Sequence, residues 1–138
     1  MKTIFNIRPA FVDSVLLGVR VVIAVLMLVH GFPKLGMLLS GASISFPAVM
    51  GMSPALSLLL AVLAEVLCSL LILIGLGTRL AVLPLIITML VAVFHIHLQD
   101  PFSAKELGLH YLLVYVMLLL CGSGKYSVDR LVWKKIKA

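Results

Sequence analysis

Four apolar stretches of roughly 20 residues follow one another along the chain, and each is long enough to cross the ~30 Å hydrocarbon core of a bilayer as a helix. They fall at about 13–35, 54–76, 79–99 and 104–122. Backbone polar groups cannot be left unpaired in lipid, so apolar segments of this length are helical. Of the 138 residues, 63% are hydrophobic and 12% charged. Soluble domains average about 45–50% apolar and about 25% charged, and one this small could not hide such a surplus. The expectation is a single all-α domain over 1–138, an integral membrane four-helix bundle.

Local chemistry marks the helix ends. Ser53 followed by Pro54 predicts an N-cap and a first helical residue. Gly75 and Gly77 suit a helix stop, after which Thr78 is expected to cap the third helix. Ser103 and Glu106 fit the S-x-x-E capping box, which predicts a fourth helix beginning at Ala104. Between the first two spans, residues 36–52 are apolar but broken by Gly36, Gly41, Pro47 and Gly51. They read as a loop at the outer interface, or as a re-entrant segment over the end of the bundle.

The formal charge of +6 is unevenly placed. With four spans, Lys2, Arg8, Arg79, Lys125, Arg130, Lys134, Lys135 and Lys137 share one side, while Lys34 and Lys105 share the other. The positive-inside rule then puts both termini in the cytoplasm. A basic tail over 123–138 beside a span reads as an orientation signal and a contact for anionic headgroups, not as a nucleic-acid site. The start of the chain lacks a small-residue cleavage site, so the first apolar segment is expected to stay as an anchor.

Placed at about 1.5 Å per helical residue, the polar residues form two layers. Arg20, Glu65, Thr88 and Tyr115 fall near the midplane, one from each helix. Ionised groups at that depth usually pair, and Arg20 with Glu65 is the expected pair. It is either a lock on helix register or part of a site for a polar ligand. His30, His95 and His110 fall toward the outer face, joined by Tyr111, and His97 points elsewhere. These histidines lack a cysteine, a carboxylate or an HExxH spacing beside them, so hydrogen bonding to a small ligand is favoured and no metal is assigned. Cys68 and Cys121 fall about 10 Å apart in depth, too far for a disulfide.

Taken in order, Arg20, His30-Gly31 with Lys34-Leu35, Glu65, the run Gly75-Leu76-Gly77-Thr78-Arg79-Leu80-Ala81, His95, and Glu106 with Tyr111 resemble the DoxX family of small bacterial membrane proteins. The closing Gly122-Ser123-Gly124-Lys125-Tyr126-Ser127-Val128-Asp129 is similar to the family's GPGxYSxD ending, with Ser123 where proline is common. The resemblance implies a four-helix protein of the bacterial cytoplasmic membrane, tied in some members to quinone-linked redox. The expected function is a redox-accessory subunit binding quinone or a similar ligand through Arg20, His30, Lys34, Glu65, Thr88, His95, His110, Tyr111 and Tyr115. A soluble or membrane oxidoreductase is the expected partner, alongside the lipid bilayer and self-association. The alternatives are a small-solute permease or exporter, and a scaffold for a partner oxidoreductase.

Overall fold

The computed structural model describes residues 9–137. Lys2 and Arg8, and the reading of the chain start, lie outside them. The described residues form four long helices and one short one, with no strand among them. We label them α1 (Pro9–Leu39), α2 (Pro54–Ile74), α3 (Thr78–Ile96), α4 (Phe102–Cys121) and α5 (Val128–Lys137). The first four are long and apolar enough to cross a membrane.

The short connections at 75–77 and 97–101 force α2, α3 and α4 to run antiparallel in turn, and the longer loop 40–53 brings α2 back alongside α1. The helices close into a ring in which α1 packs on α2, α2 on α3, α3 on α4, and α4 on α1. We call the end holding the start of α1 and all of α5 the terminal end, and the opposite end the loop end. Leu58, Ile72, Val82, Leu85 and Leu118 are fully buried between the helices. Leu80, Leu113 and Leu120 are each about 70% exposed. A helix apolar on its outer face as well as its inner one suits lipid as solvent.

Several helix ends differ from the sequence expectation, each for a local reason. The first helix runs on past 35 to Leu39, because Pro33 and Gly36 interrupt it too weakly to unwind it. It ends where Ser40 bonds back, Oγ to the Met37 carbonyl and N–H to the Gly36 carbonyl. Ser53 caps α2 as expected, accepting from the Leu56 N–H at 3.2 Å. Gly75 ends α2 at φ 73°, where a side chain would strain the backbone.

Thr78 does not cap α3. Asp129 does so from α5, accepting from the Gly77 N–H at 2.7 Å and the Thr78 N–H at 3.4 Å. The capping box at Ser103 does not form either. Helix α4 begins two residues earlier than Ala104, at Phe102 after Pro101, without a side-chain cap. The third helix stops at Ile96 rather than 99, and the basic tail carries a helix of its own, α5.

Residues 41–52 are non-helical and fold back over the start of α2. The Val49 N–H donates to Ser57 Oγ at 3.1 Å, and the Val49 side chain is buried. Two π-helical turns interrupt the long helices, at Leu63–Cys68 in α2 and Ala92–Ile96 in α3. Such turns widen the helix by one residue and often accompany functional sites.

Candidate functional site

Glu65 sits on the π turn of α2 and is 2% exposed. Its partner is Lys34, not Arg20: Lys34 Nζ lies 2.5 Å from Glu65 Oε1. The reason is register. A Cβ added at Gly31 would stand 3.2 Å from the Cβ of Glu65, so Glu65 is level with Gly31. Gly31 is eleven residues beyond Arg20 (31 − 20), or about 16 Å along the helix, farther than an arginine reaches. Lys34 is one turn from Gly31 and reaches Glu65 easily.

Arg20 instead turns toward the terminal end and is 1% exposed. Its guanidinium donates to the carbonyls of Ile72 (3.1 Å), Leu73 (3.3 Å), Tyr126 (3.0 Å) and Ser123. Two of these belong to the last turn of α2: the Ile72 carbonyl also takes the Gly75 N–H at 3.1 Å, and the Leu73 carbonyl is among those a helix end leaves open. The other two belong to the turn between α4 and α5. Five N–H donors in a planar fork let one side chain serve all four. Arg20 is therefore a tie between chain segments, and the shared midplane layer expected for Arg20, Glu65, Thr88 and Tyr115 does not form around it.

The Lys34–Glu65 pair closes the inner end of a cleft of ≈ 450 Å³ between α2 and α3 at the loop end. Leu60, Ala61 and Ala64 of α2 form one wall, and Pro84, Ile87, Thr88 and Val91 of α3 form the other. Phe46, Pro47, Val49, Met50 and Met52 of the loop cover it. Both π turns contribute, through Ala64 and Glu65 on one side and Ala92 and Ile96 on the other. The Phe46 ring centroid is 5.9 Å from Lys34 Nζ, within cation–π range.

The two oxygens of Glu65 differ. Oε1 takes the lysine, while Oε2 is buried and has no hydrogen-bond partner among the described residues. A buried carboxylate oxygen left unpaired is costly and suits a donor from a ligand or a water. At the cleft mouth stands His97, which the sequence reading turned elsewhere. Its Nδ1 donates to Asp100 Oδ2 at 2.6 Å, which fixes the ring. Thr88 lines the wall, but its hydroxyl donates to the Pro84 carbonyl at 2.8 Å.

The remaining residues of the expected site lie outside the cleft lining. His30, His95 and His110 are all exposed, and His110 Nδ1 donates to the Glu106 carbonyl of its own helix at 2.8 Å. Tyr111 is buried between His30, whose ring meets it edge-on at 5.9 Å, and Tyr115, stacked on it at 6.1 Å. The Tyr115 hydroxyl is buried without a partner among the described residues. Among those residues no group of histidine, cysteine and carboxylate side chains could hold a metal. Both cysteines are free thiols.

The sequence reading missed the loop residues Phe46 and Met50 and the His97–Asp100 pair. Periodicity placed each histidine by its own helix, but the mouth is set where α3 ends, three residues earlier than expected.

The family model for DoxX matches residues 15–98, which span Arg20, Lys34, Glu65, Thr88 and the whole lining of the cleft. Tyr111, Tyr115 and the closing 122–129 run lie beyond the match. No curated protein and no solved structure matches the sequence. The chain belongs to the DoxX family.

Proposed function

We propose that this DoxX-family membrane protein serves as an accessory subunit of a membrane oxidoreductase, binding a quinone or a ligand of similar shape in the cleft between α2 and α3. The observation that carries the reading is an apolar cleft ending on a buried carboxylate with one oxygen paired to Lys34 and the other unpaired. Ligand pockets are commonly about 300–1,000 Å³, mostly apolar, with a few convergent polar groups. A flat ring would fit between Ala61, Ala64 and Val91, with its apolar tail leaving toward Met50 and Ile87.

Each polar group then has a distinct task. The Lys34 ammonium donates to a ring carbonyl oxygen, and Glu65 Oε2 accepts from a ring hydroxyl of the reduced form. Converting a quinone to a quinol adds two electrons and two protons. In this reading the electrons come from the partner oxidoreductase. Glu65 can hold one proton at the ring, and the His97–Asp100 pair can pass protons at the mouth. In this reading, which the excess of Lys and Arg on one side supports, that mouth faces the outer side of the bacterial cytoplasmic membrane and both termini face the cytoplasm.

The test is binding of an added short-chain quinone to the purified chain, with organic extraction of any quinone that copurifies. Losing a hydrogen bond to a charged group costs about 1.5–3 kcal/mol. Lys34→Met and Glu65→Gln should therefore each weaken binding by about 10–100-fold, while His110→Ala leaves it unchanged. Wild-type affinity in both cleft variants would refute the assignment.

A further inference from the structure

A second cleft, of ≈ 390 Å³, opens at the terminal end, remote from the Lys34–Glu65 pair. Its walls are the start of α3, the turn after α4 and one face of α5. Arg79, Leu80, Asp129, Arg130 and Trp133 supply its side chains, and the Gly122-Ser123-Gly124 backbone supplies part of its wall. We propose that this cleft holds the headgroup of an anionic phospholipid, with its phosphate on Arg79 and Arg130 and its acyl chains running past Leu80 and Trp133.

Charge is the first argument. Two guanidinium groups line the cleft against one carboxylate, and that carboxylate is occupied, accepting from the Gly77 and Thr78 N–H groups. Its negative charge is thus directed at the N-terminus of α3, the positive end of that helix dipole. Among the described residues neither arginine forms an ion pair. Arg79 gives one N–H to the Leu120 carbonyl at 3.1 Å, which fixes its head and leaves further donors in the fork. Guanidinium groups match phosphate oxygens bidentately, so a pair of them facing one space suits a phosphate monoanion.

The apolar parts decide between a lipid and a soluble phosphate. Leu80 is 73% and Trp133 55% exposed, and both lie where the membrane-crossing helices end. On α5, Val132, Trp133 and Ile136 form one exposed apolar stripe, while Arg130, Lys134 and Lys137 form a basic one. A short helix of that pattern settles in the membrane interface, with its basic face toward the headgroups. Its start is tied to the bundle, since the Asp129 N–H donates to the Gly75 carbonyl at 3.0 Å. Lys137 Nζ sits 4.7 Å from the Trp133 ring centroid and holds the indole at that level. A soluble phosphate would use the arginines and leave these apolar walls without a role.

Trp133 is the chain's one tryptophan, so its fluorescence reports occupancy of this cleft directly. The full chain would be placed in nanodiscs of phosphatidylcholine containing either brominated phosphatidylglycerol or brominated phosphatidylcholine at matched fractions. The anionic quencher should be several-fold more effective. Arg79→Gln and Arg130→Gln should each reduce it to the level of the zwitterionic one, whereas Lys134→Gln with Lys135→Gln should keep the preference. Arg130 is exposed, so its variant folds even if loss of the Arg79–Leu120 bond proves disruptive. Equal quenching by the two lipids would overturn the proposal, as would a loss in the lysine variant matching that in the arginine variants. Soluble glycerol phosphate should leave the preference intact; abolition of it would move the site from lipid to free phosphate esters and overturn the lipid assignment.

Discussion

Replacing Arg20 by Met keeps most of the side-chain volume and removes every donor, so it isolates the hydrogen bonds. Of the four carbonyls released, those of Ser123 and Tyr126 lie in a partly exposed turn and can rehydrate. The Ile72 carbonyl keeps the Gly75 N–H at 3.1 Å, so the Leu73 carbonyl at the end of α2 is the one left without a partner. An orphaned buried acceptor costs about 1–3 kcal/mol, and loss of the second bond on Ile72 adds about 0.5–1.5 kcal/mol. Removing a buried charge recovers part of this, so the expected net loss is about 2 kcal/mol. Arg20→Ala should cost at least about 2 kcal/mol more, through the cavity it leaves. The assay is reversible unfolding in mixed micelles under increasing dodecyl sulfate, followed by helical circular dichroism. It should be run as a double-mutant cycle with Glu65→Gln. At about 16 Å along the bundle, the two changes should add within about 0.3–0.5 kcal/mol. Coupling above about 1 kcal/mol, or a loss below about 1 kcal/mol for Arg20→Met, would refute the register and the tie it implies.

Asp129→Ala removes the cap of α3 and should lower stability by about 1 kcal/mol, read in the same unfolding assay, with Asp129→Asn retaining part of it. Gly31→Ala would set a Cβ 2.8 Å from Val66 Cγ2. It should cost about 1–3 kcal/mol by prying α1 from α2, and weaken quinone binding by displacing Lys34; undiminished stability would contradict the close packing. In a background without Cys68 and Cys121, single cysteines at Ser43 and Ser103 should label from the outer side and one at Lys135 from the cytoplasm. Labelling of Lys135 from outside would reverse the topology.

The two motif runs at the terminal end show why part of the site was hidden in the sequence. Gly75-Leu76-Gly77 and Tyr126-Ser127-Val128-Asp129 are about fifty residues apart, and nothing in either predicts the other. In the fold they form one knot: Asp129 caps α3, its N–H meets the Gly75 carbonyl, and Arg20 fastens the turn between α4 and α5 to the end of α2. A cap expected from Thr78, its nearest hydroxyl, came instead from a carboxylate on another helix. Local propensity sees only neighbours along the chain, and a long-range partner with better geometry displaces it.

Hydropathy, a property of each segment taken alone, determined that four helices of this length would form and that their outer surfaces would be apolar. Lipid leaves a backbone no other way to satisfy its hydrogen bonds. The Ser53-Pro54 start and the Gly75 stop were equally local, because a cap and a positive φ depend on one or two residues. Pairing was not local. Whether Glu65 meets Arg20 or Lys34 depends on the axial offset of α1 against α2. That offset is set by Gly31 letting the π turn of α2 approach closely, and by the carbonyls that draw Arg20 the other way. A shift of a few residues moves a charge by several ångströms along a helix, more than a salt bridge tolerates. The sequence therefore determined which charges had to be buried, and only the packed helices decided which of them met.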